Sequence, residues 1–379
     1  MPFSRVVVVG GGASGLSAAA ALAKRGIDTA VLEQDDAIGG TWARRYDCLR
    51  LHTMREYSGL AHHPISSRYP RYLSRDDVVE YLTEYARQFT FRVISGTKVL
   101  RILARGGGWK VETTRGDPWH TPVVVVATGQ YREPIVPAWP GRESYGGTLV
   151  HSVAYANAAP YAGRRVLVVG AGNSGAEIAT DLAEGGAATV ALSVRTPPPI
   201  VPRDPFGMPL QRTGILLSLL PPALANRIGA MTARLTVGDL SPFGMPRGTF
   251  NPYTRRRVPL IDVGFVAALK RGAVTIRPAV EALTPDGARF ANGTHEAFDV
   301  IVAATGFTTG LAGLFEDPTI LDAAAEPVGR SGEPTAHSGL YFIGFVHTLR
   351  GHLFEANRAS LRLARNVKRY LRDGVRSVK

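Results

Sequence analysis

Residues 6–26 read VVVVGGGASGLSAAAALAKRG and residues 166–186 read VLVVGAGNSGAEIATDLAEGG, two stretches that align position for position without a gap. Each begins as a β-branched run suited to a strand buried on both faces, breaks at a glycine turn, and continues as an Ala-rich amphipathic segment. Those segments stop at Gly26 and at Gly185 and Gly186, and a second apolar run follows at 29–32 and at 189–194. Each copy therefore predicts a βαβ unit. A long offset used once indicates a duplicated domain, not a solenoid.

Two further runs, 123–126 before Ala127-Thr128-Gly129 and 300–303 before Ala304-Thr305-Gly306, predict strands that end in tight turns. They bracket the second copy. The expected fold is α/β, with two Rossmann-like dinucleotide-binding domains and the second inserted into a discontinuous first. The expected boundaries are 1–155 and 298–379 for the first domain and 156–297 for the inserted one.

Cofactor identity comes from the turns. In Gly10-x-Gly12-x-x-Gly15 the first glycine turns the chain, the second admits a pyrophosphate, and the third lets helix and strand pack. Helix amides and the positive dipole end then face the phosphates. Glu33 closes the next apolar run, where a carboxylate accepts hydrogen bonds from a ribose diol. A turn without a ligand gives no reason for that acid. Gly170-x-Gly172-x-x-Gly175 repeats the spacing, but its second run ends in Ser193-Val194-Arg195. A cation there can pair with a 2′-phosphate and favours NADPH over NADH, the plain alternative being a solvated strand end. Two nucleotide sites on one chain imply an electron relay, and FAD is the common hydride acceptor that is itself a dinucleotide with a free diol.

Composition narrows the remaining classes. The 379 residues are 45% hydrophobic and 20% charged, which supports a sizeable core. Forty-four Lys and Arg against 31 Asp and Glu leave a net charge of +13, which favours anionic partners. Nucleic acid is the weakest of these, because no long basic block, finger or RNA-recognition signature occurs. The single cysteine, Cys48, excludes an internal disulfide and a Cys-x-x-Cys relay. Neither His-Glu-x-x-His nor Gly-x-Ser-x-Gly is present, so no metal site or hydrolase elbow is expected. The start runs directly into a strand and glycine turn, which reads as cytoplasmic. The apolar tract ILLSLLPPAL at 215–224 is interrupted by Pro221 and Pro222 and is too short to span a bilayer. It is expected to pack in the interior or on a domain interface, ahead of a hydrophobic substrate wall or shallow membrane contact. Near the end, Arg358, Arg362, Arg365, Arg369 and Arg372 fall on one helical face, expected to be solvated ahead of a weak membrane-surface contact.

Beyond the turns, the chain resembles the class B flavin-containing monooxygenases, and within them the YUCCA-type branch. The likeness runs through Glu33 with Gly39-Gly40-Thr41-Trp42, residues 46–52 and 69–86, Ala127-Thr128-Gly129, Gly172-Asn173-Ser174-Gly175, 259–264, Ala304-Thr305-Gly306-Phe307 and 339–344. Tyr145-x-Gly147-x-x-x-His151-x-x-x-Tyr155 is similar to the family's Phe-x-Gly-x-x-x-His-x-x-x-Tyr linker, with Tyr in place of Phe. His151 and Tyr155 there are expected to be structural. Together with the turns, the resemblance implies cofactor-binding residues at Gly10, Gly12, Ala13, Ser14, Gly15, Glu33, Gln34, Gly40, Thr41, Trp42, Val99, Thr128, Gly129, Gly170, Gly172, Asn173, Ser174, Gly175, Ser193, Arg195, Thr305, Gly306, Gly344 and Gly351. It implies His52 and Thr53 as the catalytic pair beside the flavin, His52 standing where many animal and bacterial members have Asn.

The activity so implied is an FAD- and NADPH-dependent monooxygenase that forms a C4a-(hydro)peroxyflavin and inserts one oxygen atom of O2 into a small organic substrate. That substrate is a carbonyl or 2-oxo acid, or a nucleophile at N or S. The branch and the basic surface lean toward the carbonyl class, and Arg255-Arg256-Arg257 could attract a carboxylate, although adjacent arginines are commonly a solvated loop. The alternatives are an NADPH oxidase or reductase that releases H2O2, and a non-enzymatic flavin-binding redox sensor.

Overall fold

Val6–Val9 is buried at every residue because it pairs in parallel with Thr29–Leu32 on one side and Val124–Val126 on the other. Arg92–Ile94 adds beyond Thr29–Leu32, and Leu340–Phe342 beyond Val124–Val126, to complete five parallel strands. The second sheet has the same plan. Arg165–Val169 lies between Thr189–Ser193 and Val300–Ala303, with Thr275–Arg277 and Thr148–His151 outside them. The computed structural model of the chain describes residues 2–255, 258–346 and 348–376.

The duplication extends past the strands legible in the sequence. Each unit also carries a three-stranded antiparallel meander: Val99–Arg105, Gly108–Thr113 and Trp119–Thr121 in the first, Val280–Thr284, Gly287–Phe290 and His295–Ala297 in the second. Two strands move relative to the expected boundaries. Thr148–His151 and Val300–Ala303, assigned from sequence to the first domain, both hydrogen-bond in the second sheet. The cause is the repeat itself, since the strand before Ala304 serves the Gly170 turn as the strand before Ala127 serves the Gly10 turn. A Cβ on Gly10 would strike the Ala127 carbonyl oxygen at 2.7 Å and one on Gly170 the Ala304 carbonyl oxygen at 2.5 Å. The changes of sheet therefore do not fall at 155/156 and 297/298. The outer strands are also exchanged in order, Thr148–His151 preceding its unit in the chain and Leu340–Phe342 following its own.

The helix after the first turn, Ala13–Ala23, buries four consecutive alanines, Ala18, Ala19, Ala20 and Ala21. Their small side chains admit the long helix His352–Arg376, whose Ala359, Leu363, Ala364 and Val367 share one core with Ala18, Ala19 and Leu22. On its other face Arg358, Arg365, Arg369 and Arg372 are exposed, and Arg362 pairs with Glu333 at 2.8 Å. The 215–224 tract departs from its expected burial. Leu216, Leu219, Leu220 and Leu224 are all exposed, since the two short helices flanking Pro221 bury only Gln211, Gly214, Ala225 and Gly229. No helix among the described residues is long and apolar enough to cross a membrane.

Candidate active site

Both glycine turns open on one cavity of about 930 Å³. Its wall includes Gly10, Gly12, Ala13, Ser14, Glu33, Gln34, Thr41, Trp42, His52, Thr53, Val99, Thr128 and Gly129 from the first set of expected residues. It also includes Gly172, Asn173, Ser174, Gly175, Gly306, Gly344 and Gly351. Twenty of the expected positions, drawn from well-separated segments, thus meet at the cavity, and six fall elsewhere for visible reasons. Gly15 and Gly170 lie beneath the turns. Gly40 sits against the Asp35 carboxylate, which a Cβ there would strike. The Ser193 hydroxyl donates to the Pro278 carbonyl at 2.7 Å, Thr305 donates to the Ile135 carbonyl, and Arg195 stands exposed past the strand end. Of the arginine triplet, Arg256 and Arg257 lie outside the described residues.

The turns fit dinucleotides. A Cβ on Gly15 would overlap the Gly10 carbonyl, and one on Gly175 the Gly170 carbonyl, so both helices start closer to the turn than any side chain allows. A Cβ added at Gly12 or Gly172 would meet no other part of the described residues within 4 Å, which leaves room for phosphates at the helix amides. Glu33, nearly buried, accepts from the Gly11 amide at 2.5 Å and the Asp35 amide at 2.8 Å, which fixes its carboxylate at the wall. Thr128 Oγ1 is buried there with no partner among the described residues, an atom that asks for a ligand. Asn173 has a second task, accepting from the Ile261 amide at 2.7 Å and donating to the Pro259 carbonyl at 3.3 Å. That contact ties the strand Leu260–Asp262 and the Pro259 before it to the second turn.

His52 is held by a residue that the sequence did not single out. Its Nε2 lies 2.8 Å from Oε1 of Glu177, whose other oxygen accepts from the Tyr46 hydroxyl at 3.1 Å. Glu177 is buried on the helix Asn173–Glu184 of the second unit, so one carboxylate joins the two units at the cavity. A carboxylate only accepts, so the imidazole proton is placed on Nε2 and Nδ1 is left as the acceptor of the neutral ring. Nδ1 is buried and has no partner among the described residues. Burial, and then the neighbouring Glu177 charge, push the Tyr46 phenol well above its ordinary range, so it remains a donor. Thr53 Oγ1 accepts from Ser58 at 2.9 Å. In the linker, His151 uses both ring nitrogens, on the Gly306 carbonyl and the Val153 amide, and Tyr155 donates to Asp181 at 2.5 Å.

The family described as "Pyridine nucleotide-disulphide oxidoreductase" matches residues 7–200. Indole-3-pyruvate monooxygenase YUCCA1 of Oryza sativa subsp. japonica is 35% identical over 98% of this chain and 93% of its own. The chain belongs to the flavin monooxygenases, in their YUCCA-type branch. Indole-3-pyruvate monooxygenase YUCCA6 of Arabidopsis thaliana is 32% identical over 95% of the chain and 89% of its own. Among solved structures, a flavin-containing monooxygenase from Stenotrophomonas maltophilia matches at TM-score 0.73 and 25% identity, covering 98% of this chain and all of that one. Cyclohexanone monooxygenase bound to ε-caprolactone shares the fold at TM-score 0.76 and 20% identity, over 99% of this chain and 89% of that one. As a flavin monooxygenase the protein is an NADPH-dependent flavoprotein oxidoreductase using FAD, NADPH and O2 on a small molecule. With one cysteine it has no dithiol relay, unlike the disulphide reductases that give the wider family its description.

Arg195 remains the expected reader of the 2′-phosphate, and its exposed position leaves it able to meet one. Arg195→Ala is expected to weaken NADPH about ten- to a hundredfold, the worth of one charge-assisted contact, and to leave NADH nearly unchanged. Equal loss with both nucleotides in a binding titration would give Arg195 a structural role instead.

Proposed function

We propose that this flavin monooxygenase oxygenates a 2-oxo acid with an apolar body, FAD lying on the Gly10 turn and Glu33 and NADPH on the Gly170 turn. The observation that carries this is the mixed lining of the cavity. Its wall carries an apolar group, Phe206, Met208, Leu216, Ile228, Phe250 and Tyr253. It also carries Arg45, Lys98 and Arg132, and Arg44, which pairs with Asp35 at 2.9 Å, against only two lining carboxylates, Glu33 and Glu177, both already engaged in hydrogen bonds. An anion with a hydrophobic tail matches both groups. The relatives named as indole-3-pyruvate monooxygenases act on a substrate of this kind.

When bound, NADPH supplies the hydride and FAD the ring on which O2 is activated. The chain's part is to position and shield. Gly12 and Gly172 give the phosphates close backbone approach, and the apolar wall excludes water from the reacting region. His52, fixed through Nε2 by Glu177, offers Nδ1 as the atom that holds or takes a proton, and Thr53 stands beside it.

Purified protein is expected to carry about one FAD per chain, since each dinucleotide turn is complete. Supplied with NADPH and O2, it is expected to convert an aryl 2-oxo acid to the carboxylic acid one carbon shorter, with CO2 and water. Consumption of amines or thioethers with the 2-oxo acids untouched would sink the substrate assignment. NADPH oxidation matched entirely by H2O2, whatever substrate is added, would favour the oxidase reading.

A further inference from the structure

The helices Leu210–Leu217 and Pro222–Thr236 are joined by a short connection, and Leu219 and Leu220 within it and Leu224 in the first turn of the second helix are exposed. Of the exposed large apolar side chains between Phe206 and Phe243, Phe206, Met208 and Leu216 belong to the cavity wall, while Leu219, Leu220, Leu224, Met231, Leu235 and Phe243 do not. Leu219 is 79% exposed, Leu235 67% and Leu216 60%. Scattered exposed leucines are ordinary, but a group on one element marks a contact surface. On Pro222–Thr236 the exposed Leu224, Arg227, Met231, Arg234 and Leu235 recur at helical spacing, opposite the buried Ala225 and Gly229.

Charge decides what covers this face. Residues 205–238 contain no Asp or Glu, while Arg212, Arg227 and Arg234 are all exposed. A second copy of the chain on the same face would set these arginines against their own kind with no carboxylate between them. An anionic lipid surface offers phosphates to the arginines and an apolar layer to the leucines. We propose that this helix pair docks the enzyme on anionic bilayers, the exposed leucines of its connection entering the headgroup boundary and the arginines meeting the phosphates. Leu216, Leu217 and Ile228 of the same two helices line the cavity, so the docked face lies next to the substrate region.

The test is flotation of the FAD-loaded full chain with vesicles of phosphatidylglycerol and phosphatidylcholine in equal parts, beside phosphatidylcholine alone, at physiological salt. Binding to the anionic vesicles is expected to exceed that to the neutral ones at least about tenfold. The Leu219→Ser, Leu220→Ser, Leu224→Ser triple variant is expected to lose at least about tenfold of it. None of the three lines the cavity, so its flavin spectrum and NADPH oxidation should match the parent. A Leu219→Trp variant should shift its emission to the blue when anionic vesicles are added. The proposal is overturned if neither vesicle floats the protein, or if the triple variant floats like the parent, which would place the contact elsewhere, as on the arginine face of the last helix. A concentration-dependent dimer that the triple variant abolishes would overturn it as well, in favour of a second copy.

Discussion

Gly15→Ala is expected to give protein with little or no FAD and a markedly lowered melting temperature. The added Cβ would overlap the Gly10 carbonyl, a backbone atom locked into the sheet through the Gly10 amide on Leu32. The helix Ala13–Ala23 must then back away from the strand, and with it from the long helix packed on its alanines. Overpacking of this kind costs about 1–3 kcal/mol and more where backbone is the obstacle, which puts Gly15→Ala near the upper end. Gly12→Ala separates the two roles of the turn. With nothing within 4 Å its Cβ is tolerated by the fold but stands where the pyrophosphate must come. It should melt like the parent in the absence of cofactor and bind FAD about ten- to a hundredfold more weakly. Equal melting of Gly15→Ala and parent would refute the packing account.

Glu177→Leu is expected to be the most damaging change outside the turns. It leaves the Nε2 proton of His52 and the hydroxyl of Tyr46 buried without an acceptor, a loss of about 2–5 kcal/mol in stability. Glu177→Gln keeps the shape and isolates the positioning role. That variant should retain FAD and be reduced by NADPH, while the ratio of product to H2O2 falls about tenfold, the effect of roughly one misplaced charge-assisted bond. His52→Asn should produce a change of the same kind, and the double variant should be no worse than either, because both act through one contact. Coupling that is unchanged in Glu177→Gln, or losses that add in the double variant, would remove Glu177 from the positioning of His52.

What the sequence disclosed and what it withheld divide along physical lines. Glycine turns are legible because only glycine can occupy positions such as Gly10 and Gly15, and a buried parallel strand needs an unbroken apolar run such as Val6–Val9. Two Rossmann-type folds, FAD and NADPH could be read from such local constraints, supported by the resemblance. Thr148–His151 carries no turn of its own, so nothing local says which sheet receives it. Val300–Ala303 looked like a strand of the first unit only because its place in the second depends on pairing with Arg165–Val169. Burial of the 215–224 tract was inferred from hydrophobicity, which records what a side chain prefers and not what the neighbouring elements cover. Glu177 sits in a helix where its spacing resembles any solvent-facing acid, and its partners come from a distant segment. The one available signal was its place two residues beyond the turn glycine, facing the cleft that the turn creates.

The exchanged outer strands set an order on the chain as it leaves the ribosome. Everything the second sheet needs lies between Thr148 and Ala303, so that unit can close while the remainder is still being synthesised. The first sheet begins at Val6 yet lacks its edge strand Leu340–Phe342 and its covering helix until the whole second unit has been made. The half that emerges first is thus the last to finish. Its apolar strands spend most of synthesis with one face unclothed, which makes the N-terminal unit, and FAD capture with it, the step most exposed to misassembly and most dependent on chaperones.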